Sequence, residues 1–322
     1  MQHLLQTPPD RGYPTEYLLT RIRGRRSRLI SDWKPLVFEA ALQDYLASNR
    51  YHGFVRERTT DSIWRSLVRE YRWVYTQMNE DLRRIFRPFF LYSELRTLFI
   101  CLRHLTDPKS GKTEDILDQS LLSDEVKQVL AGSTDRGSAI RDIEPFFLTL
   151  SPRFAGLTET LDRDGLRGVE QRLTNDYLEV IGEQRLHPIM KTFFARLIDS
   201  RNILSMYKYL RLEPQGARPQ LLDGGTVTAS RMEAAAKEDL LGICSLVREF
   251  FGVRIDAPDP TKVETALYRG VSDYLKKEGR EPFGIGPILH YLWKCSIEVM
   301  NLSVLLQGRD FERDLVTAEL VQ

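Results

Sequence analysis

The chain has 322 residues, 42% of them hydrophobic, enough to bury one sizeable core or two or three smaller ones. Basic and acidic side chains number 46 and 45, a net charge of +1, which argues against a dedicated nucleic-acid binder. Three widely separated cysteines, Cys101, Cys244 and Cys295, exclude a disulfide framework or zinc knuckle and read as buried reduced thiols of a cytosolic protein.

The opening residues, MQHLLQTPPDRGYP, lack the apolar core of a signal peptide. The strongest charge feature follows: Arg21, Arg23, Arg25, Arg26 and Arg28 fall within eight positions with no acid nearby. On a helix, Leu18, Ile22 and Leu29 pack inward while Arg21, Arg25 and Arg28 share another face. The bland reading is a solvated face; the functional one is contact with an acidic partner or lipid headgroups. No aromatic residues interleave with the arginines, as a single-strand nucleic-acid binder would require.

Next come Glu39-Ala-Ala-Leu42 and Asp44-Tyr45-Leu46, then a stripe of Ile63, Trp64, Leu67, Val68, Tyr71, Val74, Tyr75, Met78 and Leu82. Steps of three and four predict one amphipathic helix over 63–82. Glu94-Leu-Arg-Thr97-Leu98 follows, ending in Arg103. The loop 106–114 contains Ser110-Gly111-Lys112-Thr113, the tail of a phosphate-binding loop by pattern. Thr106 stands where that motif needs glycine, and a helix precedes it instead of a strand, so an exposed loop is expected.

Both phrases return. Glu170-Gln-Arg-Leu173 with Asp176-Tyr177-Leu178 leads to Asp199-Ser-Arg-Asn202-Ile203 and Arg211. After a Pro/Gly-rich connector, 213–229, Ser230 and Glu233 suggest a capping box opening a helix through Phe250. Residues 252–262 form a loop. Then Glu264-Thr-Ala-Leu267 with Asp273-Tyr274-Leu275 leads to Glu298-Val-Met-Asn301-Leu302 and Arg309. The helix over 285–307 is apolar almost all round, and Lys294, Glu298 and Asn301 form one polar patch on it. Polar groups there need partners, because leaving one unpaired costs about 1–3 kcal/mol. The longest uncharged apolar run, from Pro282 to Trp293, is too short for a bilayer, which needs roughly 20 apolar residues.

No alternating pattern with tight-turn signals argues for a sheet, so the fold class is all-α. Recurrence in fixed order predicts three helical-bundle repeats related by pseudo-threefold symmetry: 1–105 with an inserted helix 63–82, 106–215, and 216–322. Catalytic sites rarely come in triplicate, so the repeat signature Glu94, Thr97, Asp199, Asn202, Glu298 and Asn301 reads as structural, each a salt bridge or register-setting contact. A three-carboxylate metal site from equivalent positions of separate repeats is not expected. His3, His52, His104, His187 and His290 show no ligand spacing, and His290 reads as a hydrogen-bonded core histidine. Asn301-Leu-Ser303 matches a glycosylation acceptor only by pattern. No nucleophile elbow, Cys–His pair or dinucleotide turn is present, and Gly284-Ile-Gly286 is a helix start. No catalytic residue, cofactor or metal is expected.

The ordered set of phrases resembles the C-type subunit of the prokaryotic V/A-type ATPases, the counterpart of the d-type subunit of the eukaryotic vacuolar enzymes. Phe283-Gly284, Pro287-Ile-Leu-His-Tyr291-Leu, Lys294 and Glu298-Val-Met-Asn301-Leu302 carry it best. Asp199-Ser-Arg-Asn202-Ile203 with Arg211, and Tyr17-Leu-Leu-Thr-Arg21-Ile-Arg23, add to it. Thr97, Leu19, Thr20 and the region 106–160 depart from the family pattern. The resemblance implies a funnel-shaped, non-catalytic part linking the rotor stalk to the membrane c/K ring, peripheral to the membrane on its cytoplasmic side. The rival readings are a helical scaffold binding an acidic partner through its arginine-rich helix, and a helical enzyme whose pocket the sequence does not reveal.

Overall fold

In a computed structural model, residues 4–51, 60–105, 113–212 and 218–321 are described. Among them the secondary structure is helical, apart from one isolated antiparallel bridge between Leu5 and Leu122. The chain divides into two compact units. Unit 1 holds residues 1–15 and 68–190; unit 2 holds 16–67 and 191–322.

Unit 1 takes in the later part of α3 (Thr60–Gln77), then α4 (Glu80–His104), α5 (Thr113–Gln119), α6 (Asp124–Gly132), α7 (Arg136–Leu148) and α8 (Leu157–Gly182). The stripe expected on one helix over 63–82 is buried as predicted from Ile63 to Met78. The helix itself stops at Gln77, because the Asn79 side chain accepts the Leu82 amide and caps a new helix. Leu82 belongs to that second helix. Tyr71, Tyr75, Phe89 and Phe90 pack edge to face, with ring centroids 4.9–6.0 Å apart, between α3 and α4. Tyr177 of α8 donates to the Pro88 carbonyl at 2.8 Å. The helix α8 is bent where Gly165 takes φ 67°, a left-handed conformation that glycine adopts without steric penalty. At the N-terminus Leu4 and Leu5 are buried, and the Leu4 carbonyl accepts the Ser123 amide at 3.0 Å.

Unit 2 takes in α1 (Thr15–Arg26), a 3₁₀ turn (Lys34–Val37), α2 (Glu39–Ser48), α9 (Pro188–Leu212), α10 (Ala229–Lys237), α11 (Asp239–Phe251), α12 (Pro260–Glu278), α13 (Gly286–Gln307) and α14 (Arg313–Glu319). The helix expected to open at Ser230 and run through Phe250 starts one position earlier and is two helices. Thr228, not Ser230, is the cap, accepting the Arg231 amide at 3.3 Å. Asp239, at φ 59°, breaks the path between α10 and α11. Helix α13 is buried on nearly every side, as its composition demands, and packs against α12 and α14. Burying each of its large apolar side chains stabilises the unit by about 1.5–3 kcal/mol. Phe193 meets Trp293 edge to face at 5.7 Å, and the Trp293 indole N–H donates to Ser272 at 2.8 Å.

Candidate functional site

The six signature residues are all at most 4% exposed, and five of them are hydrogen-bonded to chain segments outside their own helix. Asp199 and Asn202 on α9 illustrate the device. Asp199 accepts the amides of Thr226 and Val227 at 3.0 and 2.9 Å, and also the Thr226 hydroxyl. Asn202 takes both backbone groups of Leu222, accepting its N–H at 2.8 Å and donating to its carbonyl at 2.9 Å. One turn of helix thus fastens the loop 20–28 residues downstream. Gly225 permits the approach, since a Cβ there would lie 2.2 Å from an Asp199 oxygen.

Asn301 on α13 repeats the amide half, accepting the Val321 N–H at 3.0 Å and donating to its carbonyl at 2.8 Å. Its companion Glu298 turns to the other end of the sequence. It accepts the Ile30 amide at 2.7 Å, the Tyr51 hydroxyl at 2.7 Å and the Arg50 guanidinium at 2.6 Å. Burial pushes the Tyr51 hydroxyl well above its ordinary range, reinforced by the Glu298 charge beside it.

In unit 1, Glu94 on α4 accepts the Leu121 amide at 2.8 Å, 27 residues on, as Thr226 is from Asp199. Its second oxygen is buried without a hydrogen bond, and the nearby Thr97 hydroxyl does not reach bonding geometry. Burial pushes Glu94 up to about 7, opposed by the Leu121 amide, Thr97 and Lys127. The departure at Thr97 has a local reason. The residue 20 positions on is Leu117, inside α5, and its carbonyl already accepts from the amide and hydroxyl of Ser120. An asparagine is not needed there.

The arginine-rich segment is helical only through Arg26, so Arg28 follows the helix instead of sharing its face. Leu18, Ile22 and Leu29 are buried as expected. Arg21 donates to the Tyr17 hydroxyl at 3.1 Å, and Arg23 donates to the Pro282 carbonyl at 2.9 Å. Arg25 is half-buried, while Arg26 and Arg28 are exposed. The sequence Ser110-Gly111-Lys112, with His3 and His52, lies outside the described residues. Burial and the nearby cations push His290 down to about 4, and its Nδ1 has no hydrogen-bond partner, so the hydrogen-bonded core histidine expected there is not found at that atom. Cys101, Cys244 and Cys295 are buried free thiols. Among the described residues no cluster of three or more His, Cys, Asp or Glu side chains could hold a metal ion, and no helix is long and apolar enough to cross a membrane.

A family model described as the ATP synthase (C/AC39) subunit matches residues 18–314. The chain belongs to that family. The match runs from the arginine-rich helix through all three signature pairs and into α14, so the C/AC39 assignment covers both units. It agrees with the resemblance carried by the repeat phrases and with an all-helical fold. A comparison with curated proteins finds no match.

Proposed function

We propose that this chain is the non-catalytic coupling component of a V/A-type rotary ATPase, joining the rotor stalk to the membrane c/K ring on its cytoplasmic side. The observation that carries the reading is the family match over residues 18–314. The clamps at Glu94, Asp199 with Asn202, and Glu298 with Asn301 support it physically. A part that transmits torque needs helices that do not slide, and buried polar contacts to backbone fix their register. Three helical repeats, each carrying one clamp on its long helix, form the framework of this reading. The buried carboxylates are structural in it, since each accepts at least one backbone N–H from another segment of the chain.

The test is assembly. The tagged chain copurifies with stalk and ring proteins, and complexes lacking it hydrolyse ATP without moving ions. Isolation of the chain with no affinity for stalk or ring overturns the reading.

A further inference from the structure

Unit 2 contains a cavity of about 280 Å³ between the end of α1, the turn that follows it, and helices α12 and α13. Three cations from three separate helices line it: Arg26, Lys276 and Lys294. None of their side chains makes an ion pair or a hydrogen bond among the described residues. Three carboxylates, Glu298, Asp32 and Asp273, line it as well, and none of them is ion-paired with these cations among the described residues. Glu298, on the same wall, already accepts from Ile30, Tyr51 and Arg50. Asp32 accepts the Lys34 amide at 3.0 Å, and Asp273 sits exposed at the rim beside exposed Lys276.

The crowding acts on the groups inside. Burial and then Arg26 push Lys294 below its ordinary value, with Glu298 opposing. His290, which also lines the cavity, is held neutral by burial, Arg26, Lys294 and Lys276. Cationic side chains that have no ion-pair partner leave their N–H donors open to an anion that enters the cavity. A volume of 280 Å³ is that of about nine water molecules at roughly 30 Å³ each, ample for one tetrahedral oxyanion and its hydration.

We propose that this cavity is a phosphate-binding site, in which Arg26, Lys276 and Lys294 surround a phosphate group supplied either in free form or by a lipid headgroup. Arg26 offers the planar fork suited to two oxygens, and the two ammonium groups act as point charges. Neutral His290 contributes a ring N–H. The site does not depend on the proposed coupling role and serves equally in the isolated chain.

Calorimetric titration of the full chain with inorganic phosphate, at low ionic strength, tests the idea. Saturable binding is expected, weakening as sodium chloride is added. Lys294→Gln and Arg26→Gln each weaken it at least tenfold, and Lys276→Gln, at an exposed position that folding tolerates, weakens it several-fold. Asp273→Asn tightens it. Phosphate also raises the His290 pKa from about 4, read by the ring proton shifts in NMR. Sedimentation with phosphatidic acid in phosphatidylcholine vesicles separates the two sources. Binding to the vesicles that these substitutions abolish assigns a headgroup, and phosphate binding without sedimentation assigns a free anion. Absence of binding to both probes, or binding unchanged in all three cation variants, overturns the proposal.

Discussion

Asn202 and Asn301 each hold both backbone groups of one residue, the amide oxygen accepting and the amide nitrogen donating. Asn202→Ala leaves the N–H and carbonyl of buried Leu222 without partners, at about 1–3 kcal/mol per group. A loss of about 2–6 kcal/mol in urea unfolding is expected. Asn202→Asp keeps the acceptor but sets a carboxylate against a carbonyl, and destabilises as much; full stability in either variant refutes the account. Glu94 makes a pH prediction. Its folded value, about 7, lies above the ordinary 4.5, so its stabilising contribution is complete below pH 4.5 and is lost as pH rises through 7. Glu94→Gln retains an acceptor for the Leu121 amide and carries no charge. Its melting temperature matches wild type at pH 5 and exceeds it at pH 8; equal melting temperatures at both pH values contradict this.

At the scale of elements, apolar spacing made the helices legible, since each stripe the sequence shows is the face that is buried. Their ends were less legible. The stripe through Met78 continues in phase into Leu82, and only Asn79, a short side chain bonding back to the backbone, separates α3 from α4. Likewise Ser230 and Glu233 have the composition of a capping box, yet Thr228 occupies the capping geometry. The signature phrases were visible as a repeat, but their partners were not. Each clamp grips backbone groups of a loop or turn, and a backbone amide has no residue-type signature. Gly225 was the one trace of it in the connector. Gly225→Ala places a methyl 2.2 Å from an Asp199 oxygen and opens the Thr226 and Val227 contacts. Destabilisation of about 2–3 kcal/mol is expected, with faster amide exchange at Thr226 and Val227.

For the whole molecule, division into three consecutive repeats is what the order of phrases suggests, whereas compactness groups the chain into two units, each assembled from two separated stretches. Contacts over such separations leave no periodic pattern, so the pairing of Glu298 with Ile30, Arg50 and Tyr51 was beyond the reach of sequence. Replacing residues 16–51 with a flexible linker leaves the buried Glu298 carboxylate without its donors, a loss on the order of 3–5 kcal/mol. Unit 2 is then expected to lose its cooperative calorimetric transition; a transition that persists unchanged shows that the N-terminal stretch is dispensable. The separation of 247 positions from Tyr51 to Glu298 also sets an order of events at birth. At about 5–20 residues per second, the ribosome delivers the acceptor roughly 12–50 seconds after the donor. Both stretches of unit 1 emerge before the second stretch of unit 2, so the unit begun first is also finished first. The leading helix waits in the same way, because the carbonyl that Arg23 bonds, that of Pro282, is made 259 residues after it.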